Sequence, residues 1–401
     1  MVSEADTGVA LTEQPAVTPK PASNWRRALR AALLAFFVSR LIVLLSAGLA
    51  VGMAQQWKGG DGQETLRLFD RPAIEALQER AVSNDAGWYL TIIRSGYETR
   101  PFDASQQANW AFFPLHPVAW GALVHLGLDP AVSGALLAHL LFLLGLVQFH
   151  RWVQVLRGEA VADNAVLLLA LFPTAYFFSL PWTESLFLLL SATSLLAIAG
   201  RKWGAASLWG ALLSATRPTG VLIGALMWWE GREGRRLPPP RIWMLAAVTA
   251  TGLLAFMAWL WLKTGNPLAF VDIQAAWGRD GGSMTKHLRR WIADPALIAE
   301  AWNVRWINNG ALVLALGATV WLWRRGERGL ALFTFFTILA PWSTGTLVSM
   351  GRYVVTCLPV FLALACWLER RTFALAWMLT SAFALSVMSA WFALGVSFAG
   401  A

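Results

Sequence analysis

Four charged residues stand where an apolar chain should not put them: Asp85 in "SNDAGWYLTIIRSGY", Glu184 in "FFSLPWTESLFLLL", Arg217 in "SATRPTGV" and Arg352 in "SMGRYVV". A charge inside or at the rim of a membrane span is expensive, so such residues usually face a cavity or a partner. Their types are complementary. Guanidiniums grip a phosphate or pyrophosphate in bidentate fashion, and a carboxylate nearby can take the proton of an attacking hydroxyl. Two arginines and two carboxylates at one boundary therefore suit transfer of a group from a lipid phosphate carrier to an acceptor at the membrane surface. Plainer uses compete. Glu184 with Thr183 could cap the helix that starts there, and Arg352 could snorkel to lipid headgroups. Asp85 could N-cap the segment near Trp88, a role compatible with acting as a base. Arg217 resists such a reading, because Arg-Pro-Thr-Gly breaks an apolar run, and broken helices at membrane depth are tolerated where they line a cavity.

The elements that must hold these residues are set by composition. Of 401 residues, 57% are hydrophobic and only 14% charged, whereas soluble domains carry about a quarter charged residues. The 24 tryptophans point the same way, since Trp prefers the boundary between water and bilayer. The chain reads as an all-α polytopic membrane protein. Its net charge of +9 would suit nucleic acid, but Lys and Arg collect in short loops between spans, as the positive-inside bias requires. Nucleic-acid binding is therefore set aside.

Apolar runs predict about eleven spans, near 31–53, 131–150, 162–180, 184–200, 203–216, 218–230, 242–263, 306–323, 329–346, 352–368 and 373–396. With that number, six basic clusters fall on one side, the cytoplasm, together with the N-terminus. Residues 109–128 are left out of the count. Pro114 and Pro117, with His116 between them, suit a helix lying at or dipping into the outer surface. The organisation is then a disordered cytoplasmic tail over 1–23 and a single transmembrane domain over 24–401. Outer loops cover about 54–130 and 265–305, and the first holds amphipathic juxtamembrane helices. The integral protein suits a bacterial inner membrane, with its chemistry on the outer, periplasmic face.

Other features carry less. Arg40 in the first span either pairs with an acid between helices or has a functional role. Cys357 and Cys366 are too far apart along one helix for a disulfide between them. No phosphate-loop, zinc-protease or Cys-x-x-Cys pattern occurs. The histidines are dispersed, and His116 alone is taken as a site residue. A transporter of lipids or lipid-linked sugars would share the cavity and the arginines but needs no base. A structural assembly partner would use Arg40 and Glu184 as glue between helices.

Six segments in order, "NDAGWYLTIIRSGY", "AFFPLHP", "LFPTAYFFSLPWTESLFLLLS", "ATRPTGV", "GNPLAFVDIQAAWGR" and "SMGRYVVTCLPVF", resemble the PIG-V mannosyltransferase family, typified by GPI mannosyltransferase II, within the wider GT-C glycosyltransferase fold. The resemblance implies polyprenyl-phosphate mannose as donor and transfer on the non-cytoplasmic face to a glycolipid or protein acceptor, with inversion. It implies Asp85 as the base. The chemistry of the other residues puts Arg217 and Arg352 on the donor phosphate, Glu184 on a sugar hydroxyl or holding Arg217 in place, and His116, Trp88 and Tyr89 on substrate. A different GT-C sugar remains open. No cofactor is expected and the protein is expected to be a monomer among membrane lipids. A metal is unnecessary beside two arginines, although Asp85 and Glu184 could recruit a divalent ion.

Overall fold

The computed structural model describes residues 24–59, 69–279 and 305–396, and the tail expected over 1–23 lies outside them. Among the described residues there are helices and turns but no strand. In chain order the α-helices are α1 (Trp25–Gly59), α2 (Arg71–Ala81), α3 (Asp85–Ser95), α4 (Leu115–His125), α5 (Pro130–Arg157), α6 (Glu159–Ala170), α7 (Glu184–Ala199), α8 (Trp203–Ser214) and α9 (Leu222–Glu230). They continue with α10 (Pro240–Val248), α11 (Thr251–Thr264), α12 (Ala269–Asp272), α13 (Arg305–Arg324), α14 (Arg328–Trp342), α15 (Met350–Val355), α16 (Leu358–Trp367) and α17 (Arg371–Ala393).

Local chemistry explains the boundaries. Asp129 starts α5 by accepting the Val132 amide at 2.9 Å, with Pro130 in the first turn, where a missing N–H costs nothing. Gly158 ends α5 at φ +84°, a conformation that favours glycine. Asp70 caps α2 in the same way through the Ala73 amide. Along its length α5 packs on α1, α6 and α7. Rings of Phe142 and Phe178 stack there with centroids 4.5 Å apart.

Every expected span has a helical counterpart, but most are shorter or interrupted. Four helices, α1, α5, most of α13 and α17, are long and apolar enough to cross a membrane alone. The pair α10 and α11, bent by 49°, makes a fifth if counted as one span. That is fewer than the eleven expected, because hydropathy does not register backbone breaks. The run over 162–180 leaves the α-helix at Ala170, just before Pro173, and continues as a 3₁₀ turn at Ala175–Ser179. The run over 218–230 likewise opens with a 3₁₀ turn, Pro218–Val221. Proline enforces such interruptions by removing a donor and restricting its neighbour.

The first expected loop is largely helical, with α2, α3 and α4 inside it. The 11-residue α4 is roughly 16 Å long, about half a hydrocarbon core. Arg40 departs from the expected ion pair. It meets no carboxylate among the described residues; it donates to the Ser179 hydroxyl at 2.7 Å and the Ala175 carbonyl at 3.0 Å, and lies 4.7 Å over the Phe142 ring. The 3₁₀ turn supplies that open carbonyl, so a broken helix rather than an acid receives the guanidinium.

Candidate active site

Four separate parts of the chain bring their charges to one place. Asp85 opens α3, Glu184 opens α7, Arg217 lies in the break between α8 and α9, and Arg352 sits in α15. Glu184 is fully buried (0%) and its Oε1 accepts from both Arg217 and Arg352. Arg352 reaches onward to Asp85, with Nη2 2.6 Å from Oδ2. Arg217 also donates to the Thr183 hydroxyl at 2.9 Å. The result is a chain of alternating charge, Arg217–Glu184–Arg352–Asp85, with two positive and two negative members.

Aromatic faces hold both arginines. Arg352 lies 4.4 Å over Trp182 and 5.6 Å over Phe177, and Arg217 lies 5.6 Å from both Phe187 and Tyr353. Such packing favours a delocalised cation over an ammonium.

Around the break at Arg217 most carbonyls find donors. Arg217 is extended (φ −157°, ψ 148°) between α8 and the 3₁₀ turn. The Ala215 carbonyl receives the Leu115 amide of α4 at 3.2 Å, and the Thr216 hydroxyl returns to the Leu213 carbonyl at 2.6 Å. Gly220 is required by a close approach, since a Cβ there would lie 2.5 Å from the Leu213 carbonyl oxygen. The Arg352 turn is pinned from two sides. Asn308 of α13 accepts the Gly351 amide at 2.8 Å, and the Gly351 carbonyl accepts the Thr174 hydroxyl at 2.9 Å. Thr174 and Asn308 escaped the sequence reading, which gave Thr183 a capping role alone. Their only signal was a neutral polar side chain inside an apolar run.

Asp85 begins its helix rather than capping it. The cap position belongs to Asn84, whose side chain makes no capping bond and whose backbone sits at φ +54°, ψ −126°. That is left-handed territory, more open to Asn than to most residues other than Gly. Asp85 is 25% exposed. It opens onto a cavity of about 410 Å³ whose wall also includes Tyr89, Arg217, Gln274, Arg279 and Arg352. Glu184 is not on that wall; it lies beneath the arginines.

The remaining expected residues fall into two groups. Tyr89 lines the cavity, and burial, reinforced by Asp85, pushes its phenol well above the ordinary range. Trp88 stacks on Phe112 at 5.8 Å and meets the edge of Trp277 at 5.9 Å, and Phe112 and Trp277 both line the cavity. His116 is buried away from the cavity wall. Its Nε2 lies 2.8 Å from the Pro181 carbonyl, which can only accept, so Nε2 carries the proton. Nδ1 finds no partner among the described residues, and burial lowers the imidazole to about 4. As for a metal, Arg352 already bridges the two carboxylates that would have to hold it.

The described geometry can thus bind an anion and present a carboxylate to a hydroxyl. A family model described as Mannosyltransferase (PIG-V) matches residues 31–228. Over that segment the chain is similar to the PIG-V mannosyltransferases. Asp85, His116, Glu184 and Arg217 fall inside the PIG-V match, whereas Arg279 and Arg352 lie beyond it. No curated protein sequence matches the chain. Solved structures similar to it include the oligosaccharyltransferase of Archaeoglobus fulgidus with zinc and sulfate, at 12% identity and a TM-score of 0.47, covering 89% of this chain and 53% of that one. Another is the archaeal oligosaccharyltransferase AglB of the same organism with an inhibitory peptide and a dolichol-phosphate, at 12% identity and a TM-score of 0.46, covering 90% and 55%. The chain spans about half the length of these structures.

Proposed function

We propose that this protein transfers a mannosyl residue from a polyprenyl-phosphate carrier to a lipid-linked acceptor on the non-cytoplasmic face, with inversion at the anomeric carbon. The observation that carries the reading is Asp85. It is a cavity-wall carboxylate with one oxygen tied to Arg352 and no described partner on the other. In the proposed step the acceptor oxygen attacks the anomeric carbon from the face opposite the carrier. Its proton passes to Asp85, and the bond from the anomeric carbon to the phosphate oxygen breaks. Arg217 and Arg352 stabilise the charge that grows on the departing phosphate. Glu184 fixes both guanidiniums in place and does not touch the sugar. No metal enters the step, since Arg352 stands between the carboxylates.

The reading extends to a GT-C-type arrangement of about eleven membrane segments, several of them broken, with α2, α3 and α4 flooring the site. It is supported by the family match and by the six basic clusters, which an eleven-span count gathers on one side of the bilayer. The test is transfer of radiolabel from polyprenyl-phosphate mannose into a total membrane lipid extract, by purified wild type and Asp85→Asn, with melting curves of both. Label moving with wild type alone, at equal melting, is the expected result. Equal transfer by both removes Asp85 as base.

A further inference from the structure

The cavity wall carries a third guanidinium that no other part of the mechanism uses. Arg279 follows the 3₁₀ turn Ile273–Trp277 and Gly278, which is at φ +69°. Its side chain meets Gln274, with Nη1 3.2 Å from Oε1. Among the described residues no carboxylate pairs with it. Arg217 and Arg352, in contrast, are matched by Glu184 and Asp85. Among the described residues, three guanidiniums thus stand against two carboxylates in and under one cavity, a surplus of one positive charge. A buried or half-buried surplus is unfavourable unless an anion neutralises it.

From this surplus we infer that Arg279, oriented by Gln274, is a phosphate-binding residue whose ligand is a singly charged phosphodiester. The inference rests on the transferase reading and sharpens it: the cavity binds one net negative charge, and Arg279 supplies the cation that answers it. The same wall suits the organic part of such a ligand. Phe112, Phe270, Val271 and Trp277 give it apolar and aromatic surface beside the charges. Both a carrier-linked sugar and a glycolipid acceptor could present the phosphodiester, and kinetics separate the two.

The experiment uses the full-length protein in detergent, with farnesyl phosphate as the probe and farnesol as its neutral counterpart. Wild type should prefer farnesyl phosphate, and Arg279→Gln should weaken that binding by roughly ten- to hundredfold. Arg279→Lys should lose less, and the melting temperatures should agree. Equal affinity of wild type and Arg279→Gln for farnesyl phosphate overturns the inference and leaves the transferase reading standing. A wild type that does not distinguish the phosphate from farnesol overturns both. In the transfer assay, a KM rise for the donor alone assigns the phosphodiester to the carrier. A KM rise for the acceptor alone assigns it to an acceptor phosphate, and no KM rise for either overturns the inference.

Discussion

Two clusters of arginine and carboxylate lie toward opposite ends of α5, and they are built to different ends. At one, Arg217, Glu184, Arg352 and Asp85 alternate around a cavity, with Glu184 fully buried. At the other, Arg27 of α1 meets Glu159 and Asp163 of α6, and Asp163 also accepts from buried His150 at 2.8 Å. There Arg27 is 42% exposed and Asp163 33%. The second cluster ties α1, α5 and α6 together, but none of its residues lines the cavity beside Asp85. The same side-chain chemistry thus serves as a tether when water can reach it. On the proposed reading it serves as machinery when water is excluded and one member opens to a cavity. Burial decides which.

The contrast is sharpest for the central carboxylates. Glu184→Ala leaves two guanidiniums without their shared partner. It should cost about 3–5 kcal/mol of stability and abolish transfer, as read by thermal melting and the radiolabel assay. A loss below 1 kcal/mol would break the distinction drawn here. On the proposed reading Asp85→Asn removes the base but keeps the shape; transfer should fall by about 10²–10⁴-fold with little change in melting.

His116 gives a pH signature at the cavity end. Its folded value, about 4, lies below the unfolded value near 6.5. The unfolded chain therefore takes up the proton first as pH falls. Stability should be fully present above pH 6.5 and decline toward pH 4, by up to roughly 3 kcal/mol. His116→Gln should flatten that slope in melts across the same range. At the far end Asp163→Asn should cost no more than about 1 kcal/mol, as half-exposed pairs do, and leave transfer unchanged. Smallest of all, Asn84→Gly should relieve the backbone at φ +54° and raise stability by a few tenths to about 1 kcal/mol, without loss of activity.

How much of this was legible depended on contrast. Asp85, Glu184, Arg217 and Arg352 stood out because charge is rare in apolar runs, and the structure brings all four together. Arg279 did not, because an arginine in a polar loop is ordinary until a cavity wall is known. His116 drew notice between two prolines, yet the turn that presents it folds it inward against Tyr89 and Trp120, with ring centroids 4.8 and 6.0 Å away. Span lengths were overread for a similar reason. Hydropathy sums side chains, whereas Pro173 and Pro218 act on the backbone.

The cavity's surplus of one guanidinium also bears on turnover. A phosphodiester brings one negative charge, but the monoester left after transfer carries nearly two at neutral pH. On the proposed reading, the spent carrier is then held more firmly than the loaded one. Escape of the carrier, rather than glycosyl chemistry, would set the pace, and free prenyl phosphate would act as a product inhibitor. A site charged to seize its donor is for that reason slow to let go.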